Sequence, residues 1–127
     1  MFEIRKSAEF AAAHLLREYD GPCSRNHGHN YKVELVVRGE KLDDQRMLMD
    51  FTHLERALAP LLARVDHQNL NELPPFDEVN PTAEAVAAWF YGELKRPIDQ
   101  MSKGRAHLAA IRLWETSDSC VTYTEDS

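Results

Sequence analysis

Two cysteines, Cys23 and Cys120, are all that the 127 residues contain. A pair so far apart makes no disulfide framework, and a reducing cytoplasm is the expected setting. Long apolar runs are missing: no stretch approaches the roughly 18 consecutive apolar residues of a membrane span. The opening residues, Met1-Phe2-Glu3-Ile4-Arg5-Lys6, lack the apolar core of a secretory signal. Positive charge is scarce as well. A formal net charge of −6 argues against general nucleic-acid binding, which needs basic surface to meet phosphates. It leaves room for a small anion held by a few local cations. Internal repeats and low-complexity segments are also absent. What remains, 43% hydrophobic and 28% charged residues, is the composition of a soluble globular protein. The length predicts one domain, residues 1–127, with a core that needs no staples.

Hydrophobic periodicity divides the chain. Residues 2–14 alternate, with Phe2, Ile4, Ala8, Phe10, Ala12 and His14 on one parity, which predicts a half-buried strand. Residues 15–26 are polar and carry the turn signal Asp20-Gly21-Pro22, so they read as a loop bearing Cys23. Residues 29–39 alternate again, and His27 and His29 share the parity of Tyr31, Val33, Leu35 and Val37. Phe51, Leu54, Leu58, Leu61, Leu62 and Val65 recur at helical spacing. Asp50 is placed to cap that helix and Met49 to staple it against Leu54. Pro60 is a candidate kink. The helix should stop near Asp66-His67, and Gln68 to Val79 should be loop. Asn80-Pro81 reads as cap and first turn of a second helix, which Pro97 should end. Residues 106–115 predict a third strand, partly apolar on both faces, and 119–124 a fourth. The order ββααββ segregates strands from helices. It predicts an α+β fold: an antiparallel four-stranded sheet with two helices on one face.

The chemistry concentrates in Cys23-Ser24-Arg25-Asn26-His27-Gly28-His29, with His14 upstream. Residues at i and i+2 on a strand point the same way. His14, His27 and His29 therefore project from inward faces of two strands that can pair. Three neutral imidazoles suit a zinc ion and leave a fourth position open, the pattern of catalytic rather than structural sites. His53 and His107 have no such cluster around them. A cation near Cys23 would favour its thiolate, which could serve as fourth ligand, nucleophile or general base. Cys120 reads as a small apolar residue of the last strand. Asp66-His67 is either an acid/base unit or ordinary helix-end capping. Glu115, ending a largely apolar strand, points on sequence grounds to solvent.

Taken together these motifs resemble the 6-pyruvoyl-tetrahydropterin synthase family. The resemblance runs nearly end to end: Phe10-Ala11-Ala12-Ala13-His14, Cys23-x3-His27-Gly28-His29, Met49-Asp50-Phe51, Asp66-His67-Gln68-Asn69-Leu70-Asn71, Pro81-Thr82-Ala83-Glu84 and Trp114-Glu115-Thr116. The three residues between Cys23 and His27 are fewer than in the animal pyruvoyl-forming enzymes. They are similar to the bacterial 6-carboxy-5,6,7,8-tetrahydropterin synthases of queuosine precursor synthesis. A branch that makes 6-hydroxymethyl-dihydropterin carries glutamate where Cys23 stands. The resemblance implies a tunnelling fold, in which subunits join their sheets into a barrel. It implies a homo-oligomer, usually a hexamer of two stacked trimers, with active sites between subunits. It implies 7,8-dihydroneopterin triphosphate as substrate. By the same resemblance His14, His27 and His29 would bind zinc, and Cys23 would be the general base, working with Asp66 and His67. Glu115 would anchor the pterin ring, with Thr82 assisting, which moves Glu115 from solvent to ligand. Pyruvoyl-forming activity and a non-enzymatic zinc-stabilised domain are the competing expectations.

Overall fold

Alternation along the first two long segments is realised as a β-hairpin. In the computed structural model, which describes residues 1–125, β1 (Phe2–His14) pairs antiparallel with β2 (His27–Gly39) over their whole length. The register sets Phe10 opposite Tyr31, Ala12 opposite His29 and His14 opposite His27. β4 (Ala106–Thr116) adds to the far side of β2, and β5 (Ser119–Tyr123) to β4. The mixed pattern of β4 has a local cause. Its register against β2 shifts between Val36 and Val37, so Ala109 has no partner. A bulge of this kind puts one extra residue into a strand and reverses its parity. Ile111 and Leu113 on one side of it and Leu108 on the other therefore reach the same buried face.

The four-stranded expectation needs correction. A fifth strand, β3 (Gln68–Asn69), lies parallel to β1 with Ala12 opposite Gln68 and Ala13 opposite Asn69, giving the order β3-β1-β2-β4-β5. It lies where a loop is expected, because two residues carry too little alternation to read. Contacts just before it dock it: His67 N–H donates to Ala11 O at 2.6 Å, and Ala11 N–H to Asp66 Oδ1 at 2.9 Å.

Both helices cover one face of the sheet. α1 (Phe51–Val65) starts as expected, with Asp50 accepting from Thr52 N–H, and buries Leu54, Leu58, Leu61 and Val65. It runs on through Pro60. α2 (Ala83–Met101) departs from expectation at both ends. Its cap is Thr82, whose Oγ1 accepts from Ala85 N–H at 3.1 Å. Asn80 instead holds the backbone of Arg17, accepting at 2.8 Å and donating at 2.9 Å. Nor does Pro97 end the helix. Ile98, the next residue, is fully buried. Burying an isoleucine contributes about 1.5–3 kcal/mol, comparable with the ~3 kcal/mol that an internal proline costs. The helix closes at buried Ser102, whose hydroxyl accepts from Ala106 N–H and whose N–H donates to Ile98 O.

Leu35, Val37, Leu54, Leu58, Phe76, Phe90, Leu94, Ile98 and Ile111 belong to one core cluster between sheet and helices. Gly39 is required where β2 leaves it: a Cβ there would collide with the Arg105 carbonyl oxygen and lie 2.6 Å from Leu48 Cδ1. No helix among the described residues is long and apolar enough to cross a membrane.

Candidate metal centre

Pairing of β1 with β2 brings His14, His27 and His29 together at the end of the sheet, on the helix-covered face. Ring centroids are 4.5 Å apart for His14 and His27, 4.7 Å for His27 and His29, and 5.1 Å for His14 and His29. Glu115 arrives from β4. Its Oε1 lies 2.9 Å from His29 Nε2 and 3.3 Å from His14 Nε2. One ligand atom from each of the four residues lies within 4.8 Å of the other three. Glu115 is thus turned inward, against the solvent position that its sequence context favours.

Backbone carbonyls orient two of the rings. His14 Nδ1 donates to Pro81 O at 2.7 Å and His27 Nδ1 to Arg25 O at 2.7 Å. A proton on Nδ1 leaves Nε2 with a lone pair, and a backbone carbonyl behind a histidine is a common support for a metal ligand. The Nε2 atoms of His14 and His29 are buried, and despite the nearby carboxylate neither has a hydrogen-bond partner of acceptable geometry. Burial lowers the pKa of His29 first. Glu115 opposes this, and the other two imidazoles reinforce it. This donor set, with three Nε2 atoms converging beside one carboxylate, fits a divalent metal ion.

Tyr31 is a residue that periodicity alone reads as core. Its ring stacks on Phe10 at 4.9 Å and is fully buried, but its hydroxyl has no partner. Leaving such a group unpaired costs about 1–3 kcal/mol. Burial, and then the charge of Glu115, push its pKa upward, so it remains protonated at neutral pH.

The other expected site residues stand apart from this group. Asp66 and His67 pair with each other, Oδ2 to Nδ1 at 3.1 Å, but the His67 side chain is 81% exposed. His67 has a left-handed backbone, φ 60°. That conformation is uncommon outside glycine and concentrates at functional positions. Hydrogen bonding from Ala11 N–H, then His67, holds the Asp66 carboxyl below its ordinary range. His67 lines a shallow cavity of about 460 Å³ together with Ala11, Ala13, Gly28, His29 and Asn30. Cys23 is half-buried in a short 3-10 turn, Pro22–Ser24, within the loop between β1 and β2, and its carbonyl accepts from Leu16 N–H at 2.8 Å. Thr82 caps α2 directly after the carbonyl that holds His14. The clasp fixing this end was not legible in the sequence. Asn71 accepts from Leu15 N–H at 2.9 Å and donates to Leu15 O at 3.1 Å, repeating what Asn80 does for Arg17.

Across residues 3–126 the chain matches the family model described as 6-pyruvoyl tetrahydropterin synthase. It is 32% identical to the 6-carboxy-5,6,7,8-tetrahydropterin synthase of Aquifex aeolicus, over 98% of this chain and 99% of that one. To the Bacillus subtilis protein of the same name it is 35% identical, over 96% of this chain and 84% of that one. The solved structure of Caenorhabditis elegans 6-pyruvoyl tetrahydropterin synthase superposes with a TM-score of 0.86 at 28% identity, covering 98% of this chain and 96% of that one. A match over nearly the whole length, on a fold that gathers the three histidines of the motif, means that the chain belongs to the 6-pyruvoyl tetrahydropterin synthase family.

Proposed function

We propose that the protein is a zinc-dependent lyase that converts 7,8-dihydroneopterin triphosphate to 6-carboxy-5,6,7,8-tetrahydropterin, releasing acetaldehyde and triphosphate. On this reading it works in the cytoplasm, in queuosine (7-deazaguanine) precursor synthesis. The observation that carries the proposal is the convergence of His14, His27 and His29 beside Glu115, with the Nε2 atoms of His14 and His29 buried and unpartnered. The short gap between Cys23 and His27 favours the carboxy-forming branch.

His14, His27 and His29 would hold the zinc. When bound, the ion supplies a Lewis acid that polarises the hydroxyl oxygens of the substrate side chain and acidifies the C–H bonds between them. Cys23, as thiolate, takes a proton from side-chain carbon. His67, oriented by Asp66, returns one. The side chain as a whole loses the two electrons that the ring gains. The bond between its first and second carbons breaks to release acetaldehyde, the third carbon gives up its oxygen with triphosphate, and water supplies the new carboxylate oxygen. Glu115 accepts hydrogen bonds from ring N–H groups. Thr82 Oγ1 already accepts from Ala85 N–H, so its own hydrogen remains available to a ligand.

The 81% exposure of His67 favours active sites between subunits, with the Asp66–His67 pair of one subunit serving the imidazoles of another. Sheet edges suit this assembly. β5 ends the sheet on one side, and beyond the two-residue β3 the rest of β1 lies open on the other. Open edges of this sort join between copies. The expected product of that joining is a barrel-forming homo-oligomer, a hexamer of two trimers, with residues 1–127 as one domain.

Incubation of zinc-loaded protein with 7,8-dihydroneopterin triphosphate, read by mass spectrometry, tests the reaction. A carboxylated tetrahydropterin with acetaldehyde is expected; a pyruvoyl product would assign the chain to the sister activity. Cys23→Ala is expected to keep its zinc and lose turnover, whereas loss of zinc would make Cys23 a ligand and remove it as the base. Removing zinc should leave the fold in place, because the apolar cluster stands without it. Unfolding on chelation would support a zinc-stabilised structural domain instead.

A further inference from the structure

A phenylalanine at position 31 would keep the stack on Phe10 without burying an unpaired hydroxyl. The hydroxyl of Tyr31 is therefore explained by the site and not by the core. Its place in the sheet says how. Lys32 pairs with Trp114, so Tyr31 falls opposite Glu115 on the neighbouring strand. Directly opposed side chains set out about 4.5–5.5 Å apart. His29 at 5.5 Å and His14 at 5.9 Å stand edge-on to the Tyr31 ring, and these are the imidazoles whose Nε2 atoms flank Glu115 Oε1. A neutral donor thus stands at the strand position opposite a carboxylate whose Oε1 is flanked by two imidazole nitrogens. An Nε2 atom bound to a metal carries no hydrogen and cannot donate to Glu115. The Tyr31 O–H is a donor that metal binding leaves untouched.

We infer that Tyr31 is a positioning residue: its hydroxyl donates to the Glu115 carboxylate once the imidazoles are engaged by metal, and holds it facing a heterocycle edge that carries N–H donors. This rests on the reading of Glu115 as ring anchor. With one lone pair taken by the phenol, the carboxylate keeps acceptors for two adjacent ring donors, the 2-amino group and neighbouring N–H of a pterin. Without the phenol no donor fixes the orientation of the carboxylate, and binding weakens although nothing in contact with the ring has changed.

The test uses zinc-loaded wild type, Tyr31→Phe, Glu115→Gln and the double variant, each titrated with a 7,8-dihydropterin and assayed for turnover. Tyr31→Phe is expected to weaken pterin binding about 10-fold, the effect of losing one hydrogen bond to a charged group, and to raise KM with kcat nearly unchanged. Zinc content should stay at the wild-type level. In the Glu115→Gln background the same change should have no further effect, because the two residues act as one unit. Unchanged affinity in Tyr31→Phe, or a full additional loss in the double variant, would overturn the inference. If wild type itself binds no dihydropterin, the ring-anchor reading fails and this inference falls with it. A metal-free melt separates the role from simple packing. Tyr31→Phe should melt at or above wild type, since the hydroxyl is unpaired there, and a clear drop would mean that the hydroxyl serves the fold instead.

Discussion

The imidazole cluster and the Asp66–His67 pair both depend on the last residues of β1, yet they are opposite in construction. His14 is 2% exposed and His29 17%, and backbone carbonyls hold the rings of His14 and His27. His67 is 81% exposed, and what holds it is a carboxylate that is itself 42% exposed. Metal ligands gain from burial, since a dry and oriented lone pair needs little rearrangement to bind. A group that carries protons to and from a substrate needs access. On the proposed reading, one chain would complete the first site by itself and present half of the second.

The sharpest way to break this contrast is to disable each half separately. His29→Ala should lose stoichiometric zinc, measured by metal analysis, and all turnover, while circular dichroism shows an unchanged fold. Full metal retention would mean that the ion sits elsewhere. His67→Ala should keep zinc and thermal stability but lose turnover by about 10²–10⁴-fold, the usual worth of a positioned acid/base group. Mixing the two inactive variants under conditions that exchange subunits should restore activity, because some interfaces would pair an intact cluster with an intact dyad. A mixture that stays inactive would place both halves in one subunit.

Legibility in the sequence followed the same division. Strand parity puts His14, His27 and His29 on one inward face, where the structure also gathers them, because alternation is a property of the backbone and survives any loop geometry. Strand pattern alone points Glu115 to solvent and only the family resemblance turns it inward, because the bulge at Ala109 makes β4 parity ambiguous and its partner strand is far away in sequence. β3 was missed because a strand of two residues has no period, and what fixes it is a pair of hydrogen bonds to Ala11. Asn80 was assigned as a cap on local grounds; the contact that claims it, Arg17, is 63 positions away. The extension of α2 past Pro97 was set by the burial of Ile98, a tertiary fact that outweighed a local rule.

Smaller changes probe what holds the two regions in place. Thr82→Ala removes the cap of α2 and should cost about 1 kcal/mol in chemical denaturation. Because Pro81 O holds His14, the same change is expected to weaken zinc retention slightly under chelator competition. Unaltered retention would mean that the carbonyl stays in place without the cap.

The smallest effect is expected for Asp66→Asn and should depend on pH. The carboxyl of Asp66 lies below its ordinary value of 3.8, mainly through the N–H of Ala11 and then through His67. A carboxyl depressed in the folded state stabilises the fold fully above its unfolded pKa, and that contribution fades as pH falls through the folded value. Asparagine keeps an acceptor for Ala11 N–H but has no charge to titrate. Wild type should therefore be modestly more stable than Asp66→Asn at pH 7, and the difference should narrow as pH falls below about 4, where the unfolded carboxyl begins to bind its proton. Urea denaturation of both proteins across this range reads the difference directly. A gap that is independent of pH would mean that only the geometry of the brace on β1 matters, and the carboxylate charge would then act on His67 alone.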